Sequence, residues 1–175
     1  LLGICKPTEY GGLGLDYSYS LVANEAWGRV HCGSIPMAIG VQTDMATPAL
    51  ARFGSDELRQ RYLAPAIAGD MVTSIGVSEP HAGSDVANIK TTARKDGNHY
   101  VINGSKTYIT NGQNADLIIV VAKTDPEKGA KGTSLILVEA DREGFARGRN
   151  LDKIGQNSAD TSELFFNDVR VPMTN

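Results

Sequence analysis

The sequence predicts an α+β chain, with a helical N-terminal segment followed by an antiparallel β-barrel-like domain. Two observations carry this. Up to about Asp70, apolar residues recur at helical spacing and are interrupted by proline and glycine. Beyond Asp70, β-rich runs follow one another with turn dipeptides between them and no helical pattern, which disfavours alternating βαβ units. The expected domains are residues 1–70, helical, and residues 71–175, β.

Within the first part, Val22, Ala26 and Val30, flanked by Leu21 and Trp27, predict an amphipathic helix from Asp16, and Tyr10-Gly11-Gly12-Leu13-Gly14 before it reads as a turn. The run Ile35-Pro36-Met37-Ala38-Ile39-Gly40-Val41 predicts a second helix with proline in its first turn, kinked or restarted at Pro48 before Gly54. A third helix starts with Ser55 as its cap. Asp56 and Glu57 suit the positive end of its dipole, Arg59 and Arg61 follow, and Pro65 lies near its end.

In the second part, strands are predicted at 71–78, 89–95, 99–102, 106–110, 117–123, 133–139 and 163–166. Asp96-Gly97 and Asn103-Gly104 are hairpin signals, because a two-residue turn needs residues that tolerate positive φ. Consecutive hairpins predict an antiparallel meander.

Composition narrows the function classes. The 175 residues, 41% hydrophobic, suffice for one good-sized core or two small ones. The 17 basic and 20 acidic residues are interspersed, giving a net charge of −3 and no basic stripe for a nucleic-acid backbone. No apolar run is long enough to span a bilayer, and Leu1-Leu2-Gly3-Ile4 has no charged region before it, so the chain reads as starting in mid-protein. Cys5 and Cys32 have neither metal-ligand spacing nor a disulfide framework, which favours a reducing compartment, and His31 and His99 form no metal pair.

Two segments carry the candidate chemistry. In Ser74-Ile75-Gly76-Val77-Ser78-Glu79-Pro80-His81-Ala82-Gly83-Ser84-Asp85, a strand ends in a long polar turn. Gly83 exposes its N–H to an approaching anion, Ser84 adds a hydroxyl and Pro80 stiffens the approach, as a phosphate cradle requires; the same residue types also serve any strand-to-loop connection. In Lys106-Thr107-Tyr108-Ile109-Thr110-Asn111-Gly112, an aromatic and a hydroxyl two residues apart share a strand face, an arrangement suited to a flat polar ring and equally to plain β structure.

Together these segments resemble the acyl-CoA dehydrogenase family, through Gly76-Val77-Ser78-Glu79-Pro80-His81-Ala82-Gly83-Ser84-Asp85. The resemblance extends to Tyr10-Gly11-Gly12-Leu13-Gly14-Leu15-Asp16, Phe53-Gly54-Ser55, Arg61-Tyr62-Leu63, Asn103-Gly104-Ser105-Lys106, Gly148-Arg149 and Asp160-Thr161 through Val169-Arg170-Val171-Pro172. It implies the family's fold without its C-terminal four-helix domain, with FAD held by the β-domain. Ile75, Gly76, Val77 and Ser78 would reach the flavin ring, and Gly83 and Ser84 its diphosphate, with Ser84 also near the CoA part of the substrate. Tyr108 would line a flavin face and Thr110, with nearby backbone amides, would bond its reactive edge, stabilising charge on the reduced ring, with Ile109 between them also at the cofactor.

The family reaction turns a saturated acyl-CoA thioester into a 2,3-enoyl-CoA, with electron-transfer flavoprotein as acceptor and a tetramer or dimer as the working form. Its glutamate base comes from the C-terminal domain, so no catalytic residue is assigned here. Glu79 belongs to the signature turn, and Glu25 sits on a helix among polar neighbours. These 175 residues alone would then hold FAD weakly and be inactive. An acyl-CoA oxidase, a flavin monooxygenase and a non-catalytic flavin-binding module share the pattern. A bacterial cytoplasm and a mitochondrial matrix both fit. Two positions depart from the family: His81 replaces a common glycine, and Asn157 stands where many members carry arginine.

Overall fold

The computed structural model describes residues 1–175. Its contacts gather into two units: Leu1–Thr73 with Asp152–Ala159, and Ser74–Leu151 with Asp160–Asn175.

In the first unit, helix α1 (Tyr17–Trp27) is capped by Asp16, whose Oδ1 accepts from the Ser18 N–H at 2.8 Å. It stops at Trp27, leaving Val30 outside, because Gly28 and Arg29 close the last turn onto Asn24 and Ala26. The predicted inward apolar stripe is not found: no α1 residue is buried, and Leu21 and Val22 stand 58% and 70% exposed.

Helices α2 (Ser34–Gly40) and α3 (Thr47–Phe53) are joined by a wide-turn π segment at Val41–Ala46. Pro48 supplies the cause, since it lacks an N–H and its ring crowds the carbonyl four residues back, so the helix widens ahead of it. The Thr47 hydroxyl takes up the Gln42 carbonyl at 2.7 Å. The arrangement repeats downstream: α4 (Asp56–Leu58), capped by the Ser55 hydroxyl, leads into a π segment at Arg59–Leu63 and then α5 (Ala64–Ala68) with Pro65 in its first turn. The helix thus continues past Pro65 and ends at Gly69, φ 93°.

Val41, Ala46, Leu50, Tyr62, Leu63 and Ala66 are buried in this unit. The buried Gln42 side chain donates to the Ala66 and Met71 carbonyls, and its Oε1 accepts from the Thr73 N–H and hydroxyl, so no polar atom of the amide is wasted.

The second unit is built on β1 (Thr73–Gly76), β2 (Thr92–Asp96), β3 (His99–Thr110), β4 (Leu117–Lys123), β5 (Thr133–Glu139), β6 (Phe145–Asn150) and β7 (Thr161–Pro172). The order is β1-β4-β2-β3-β7-β6, with β5 on β4. The expected purely antiparallel meander is corrected: the sheet is mixed, because β4 meets β2 in parallel at Lys123 and Thr92.

Asp96-Gly97 does mark a hairpin, with Asp96 paired to His99 and Gly97 at φ 59°. Asn103-Gly104 does not. Strand β3 runs straight through it, and Gly104 (φ 149°) absorbs a bulge between Ile102 and the next pairing with β7. The long partner β7 overrides the local turn propensity here. Strand β6 went unforeseen: Phe-Ala-Arg-Gly-Arg-Asn has little alternation, and it pairs only with β7 at the sheet's edge. Ile102, Ile118, Val120, Val138, Leu164 and Val169 form the centre of the core at 0% exposure.

Candidate functional site

The sheet organises the polar turn after β1 around one buried carboxylate. The Glu79 and Ala82 backbones bond each other in both directions, closing a tight turn through Pro80 and His81. Glu79 Oε1 accepts from Lys106 Nζ at 2.8 Å, from the Thr91 N–H at 3.0 Å and from the Thr91 hydroxyl at 2.5 Å. Its Oε2 accepts from the Lys90 N–H at 2.6 Å, with His81 Nε2 3.3 Å away. The side chains of Glu79 and Lys106 are 2% and 0% exposed.

Burial works to raise the Glu79 pKa, but the hydrogen bonds from Lys106, Thr91 and the Lys90 and Thr91 amides outweigh it and hold the carboxyl at about 2. Burial lowers Lys106, and Glu79 opposes that shift. Glu79 is therefore ionised near neutrality, its desolvation offset by a nearly complete set of partners that includes Lys106.

This pair also joins the two candidate segments. Lys106 Nζ donates to the Val77 carbonyl at 3.1 Å, and the Thr107 N–H donates to the Ser78 carbonyl at 2.9 Å. Gly76 is buried against Lys106, where an added Cβ would lie 3.2 Å from Lys106 Cγ. Ile75, Val77 and Ser78 are half-buried beside it. Past the turn, Gly83 and Ser84 are exposed, and nothing lies within 4 Å of a Cβ built on Gly83.

The second segment departs from a regular strand. A bulge between Lys106 and Ile109 places Tyr108 at φ 59°, while exposure still alternates from Thr107 to Thr110. Tyr108 is 70% exposed, between the buried Thr107 and Ile109. Ile109 points into the core at 3% exposure, leaving only its backbone for a ligand, and Thr110 is half-buried opposite Thr161.

Sequence reasoning quoted Glu79 and Lys106 within separate motifs without joining them. No local signal joins them: Glu79 stands beside Ser78 and Pro80-His81, and Lys106 between Ser105 and Thr107, so each reads as an ordinary exposed charge. No three His, Cys, Asp or Glu side chains converge as metal ligands would, and no helix is long and apolar enough to cross a membrane.

Comparison with known proteins identifies the family of the chain. Residues 74–169 match the model of the acyl-CoA dehydrogenase middle domain, and residues 1–70 match that of the N-terminal domain. The whole chain is 42% identical to mitochondrial isovaleryl-CoA dehydrogenase of Solanum tuberosum, covering 42% of that protein's length. A crystal structure of acyl-CoA dehydrogenase from Geobacillus kaustophilus superposes with TM-score 0.92 at 48% identity, over 98% of this chain and 45% of that one. The structure of PigA with FAD and proline superposes with TM-score 0.96 at 30% identity, over 99% of this chain and 46% of that one. With both domain models in chain order and relatives of this identity along its full length, the chain belongs to the acyl-CoA dehydrogenase family.

Proposed function

We propose that the protein is an FAD-dependent acyl-CoA dehydrogenase converting a saturated acyl-CoA into a 2,3-enoyl-CoA, with residues 1–70 and 71–175 as its helical and flavin-cradling domains. The observation that carries this is the strained, exposed Tyr108, held beside the Ser78 turn by the Thr107 and Lys106 hydrogen bonds. A bulky residue at positive φ costs roughly 1–2 kcal/mol and persists only where its surroundings over-determine it. An exposed ring at such a position fits a flat, polar heterocycle, and the open backbone at Gly83 and Ser84 fits a diphosphate.

FAD, when bound, supplies the hydride acceptor. Tyr108 would cover a ring face, while the Ser78 and Thr110 hydroxyls and nearby amides would orient its polar edge and stabilise negative charge there. Gly83 and Ser84 would take the diphosphate, and Ser84 the CoA portion of the substrate. Electron-transfer flavoprotein would accept the electrons, and a tetramer or dimer would be the working form, in a bacterial cytoplasm or a mitochondrial matrix.

The test uses protein expressed from the complete gene. Bound FAD, bleached anaerobically by isovaleryl-CoA or butyryl-CoA and reoxidised by electron-transfer flavoprotein faster than by oxygen, is the expected result. Faster reoxidation by oxygen would point to an oxidase, and absence of bleaching to a non-catalytic flavin module.

Tyr108→Gly gives a separable outcome. Glycine relieves the positive φ, and little packing is lost from an exposed ring, so stability in urea should stay level or rise by up to about 1 kcal/mol. FAD retention should fall. A loss of stability with unchanged FAD binding would show that the strain serves the fold alone.

A further inference from the structure

Resting on the flavin reading above, we propose that Arg147 and Asp160 are positioning residues that hold Thr110 at the polar edge of the flavin. Neither belongs to the segments that would touch the cofactor. Both grip the turn that follows Thr110.

Four successive backbone N–H groups of that turn are engaged. Gly112 donates to the Ile109 carbonyl at 3.2 Å, Asn114 and Ala115 donate to the Asn111 carbonyl at 3.1 and 2.8 Å, and Gln113 donates to Asp160 Oδ2 at 2.6 Å. The other Asp160 oxygen accepts from Asn114 Nδ2 at 3.3 Å. From β6, Arg147 Nε donates to the Gly112 carbonyl at 3.1 Å and Nη2 to the Ala115 carbonyl at 2.7 Å, so one guanidinium fork spans the turn. The Gln113 amide adds a bond to the Gly148 carbonyl at 2.9 Å.

The placement of the clamp gives it meaning. Asp160 directly precedes Thr161, which is the ladder partner of Thr110, so the residue leading into β7 anchors the turn that follows the residue β7 pairs. Tyr108 and Asn111, at φ 59° and 65°, bracket Ile109-Thr110 with two left-handed residues that are not glycine. Such a segment relaxes toward regular strand unless both ends are tied. The Thr107 bond to Ser78 ties one end, and Arg147 with Asp160 ties the other. Charged groups spent on neutral peptide units, at the end of a strained and exposed segment, are what fixed presentation of a donor requires.

The test is the two-electron midpoint potential of FAD bound to the holoprotein from the complete gene, with thermal midpoints measured alongside. Arg147→Gln and Asp160→Asn should each weaken binding of reduced relative to oxidised flavin about tenfold, read as a fall of roughly 30 mV. Arg147→Lys, which reaches one carbonyl instead of two, should recover part of that fall. A folded, FAD-loaded variant with unchanged potential overturns the proposal, even if its thermal midpoint drops. Should either variant fail to fold, Arg147→Lys decides by the same criterion: a potential below that of wild type supports the positioning role, and an unchanged one overturns it. A wild-type protein that binds no FAD overturns the flavin reading itself, and this proposal with it.

Discussion

Replacing Glu79 with alanine should destabilise the second unit by about 3–5 kcal/mol, because it leaves the Lys106 ammonium buried at 0% exposure without its counter-charge. The loss extends beyond one ion pair. The Lys90 N–H and the Thr91 N–H and hydroxyl lose their acceptor together, and the tie from Lys106 to the Val77 carbonyl loses the partner that holds the ammonium in place. Urea unfolding at pH 7 measures it, and a cost below about 1 kcal/mol would mean that the pair is dispensable.

The same group sets an acid limit. Burial alone would raise the carboxyl pKa, but its hydrogen bonds hold it at about 2, below its ordinary value of 4.5. Its stabilising contribution is therefore fully present above about pH 4.5 and is lost as pH falls toward 2. At ~1.4 kcal/mol per pH unit this amounts to roughly 3 kcal/mol. Glu79→Gln should flatten the stability curve across that window, and an acid slope equal to wild type would assign the transition to other carboxylates.

Gly104→Val should cost about 3 kcal/mol or more. A Cβ at Gly104 would lie 2.4 Å from Thr91 Oγ1 and 2.8 Å from Thr91 Cα, and the φ of 149° is one that side-chain-bearing residues rarely adopt. Thr91 cannot yield freely, because its N–H and hydroxyl both serve Glu79. The two substitutions should consequently be non-additive: in a Glu79→Ala background, Thr91 loses its acceptor and is released, and the valine should cost less, by about 1 kcal/mol. Chemical denaturation of both single variants and the double variant tests this, and strict additivity would separate the bulge from the ion pair.

The bulge also shows where sequence reasoning stopped. Asn103-Gly104 carries the strongest local signal for a two-residue turn, yet β3 continues because β7 offers it a partner along nearly its whole length. Local chemistry cannot report a partner that lies some 60 residues away. The helix starts at Asp16 and Ser55 were legible, since a cap is a contact with the next few residues. So were β4 and β5, whose apolar runs are bounded by polar turns. At the candidate site, the motif residues were legible, but the bulge at Tyr108 and the convergence of Lys106, Thr91 and Lys90 on Glu79 were not. Those depend on the register of distant strands.

The pairing of β3 with β7 has a consequence for biosynthesis. β3 ends at Thr110, and its ladder with β7 runs from the Thr110–Thr161 pair to the His99–Pro172 pair. At translation rates of about 5–20 residues per second, roughly 3–12 s separate the emergence of the two strands. Throughout that interval the β2–β3 hairpin presents an open edge, and the apolar run Leu117 to Ala122 of β4 emerges beside it. Such a nascent chain offers holding chaperones an exposed strand edge and an apolar ribbon at once. In any folding coupled to synthesis, this unit cannot close before β7 has been made.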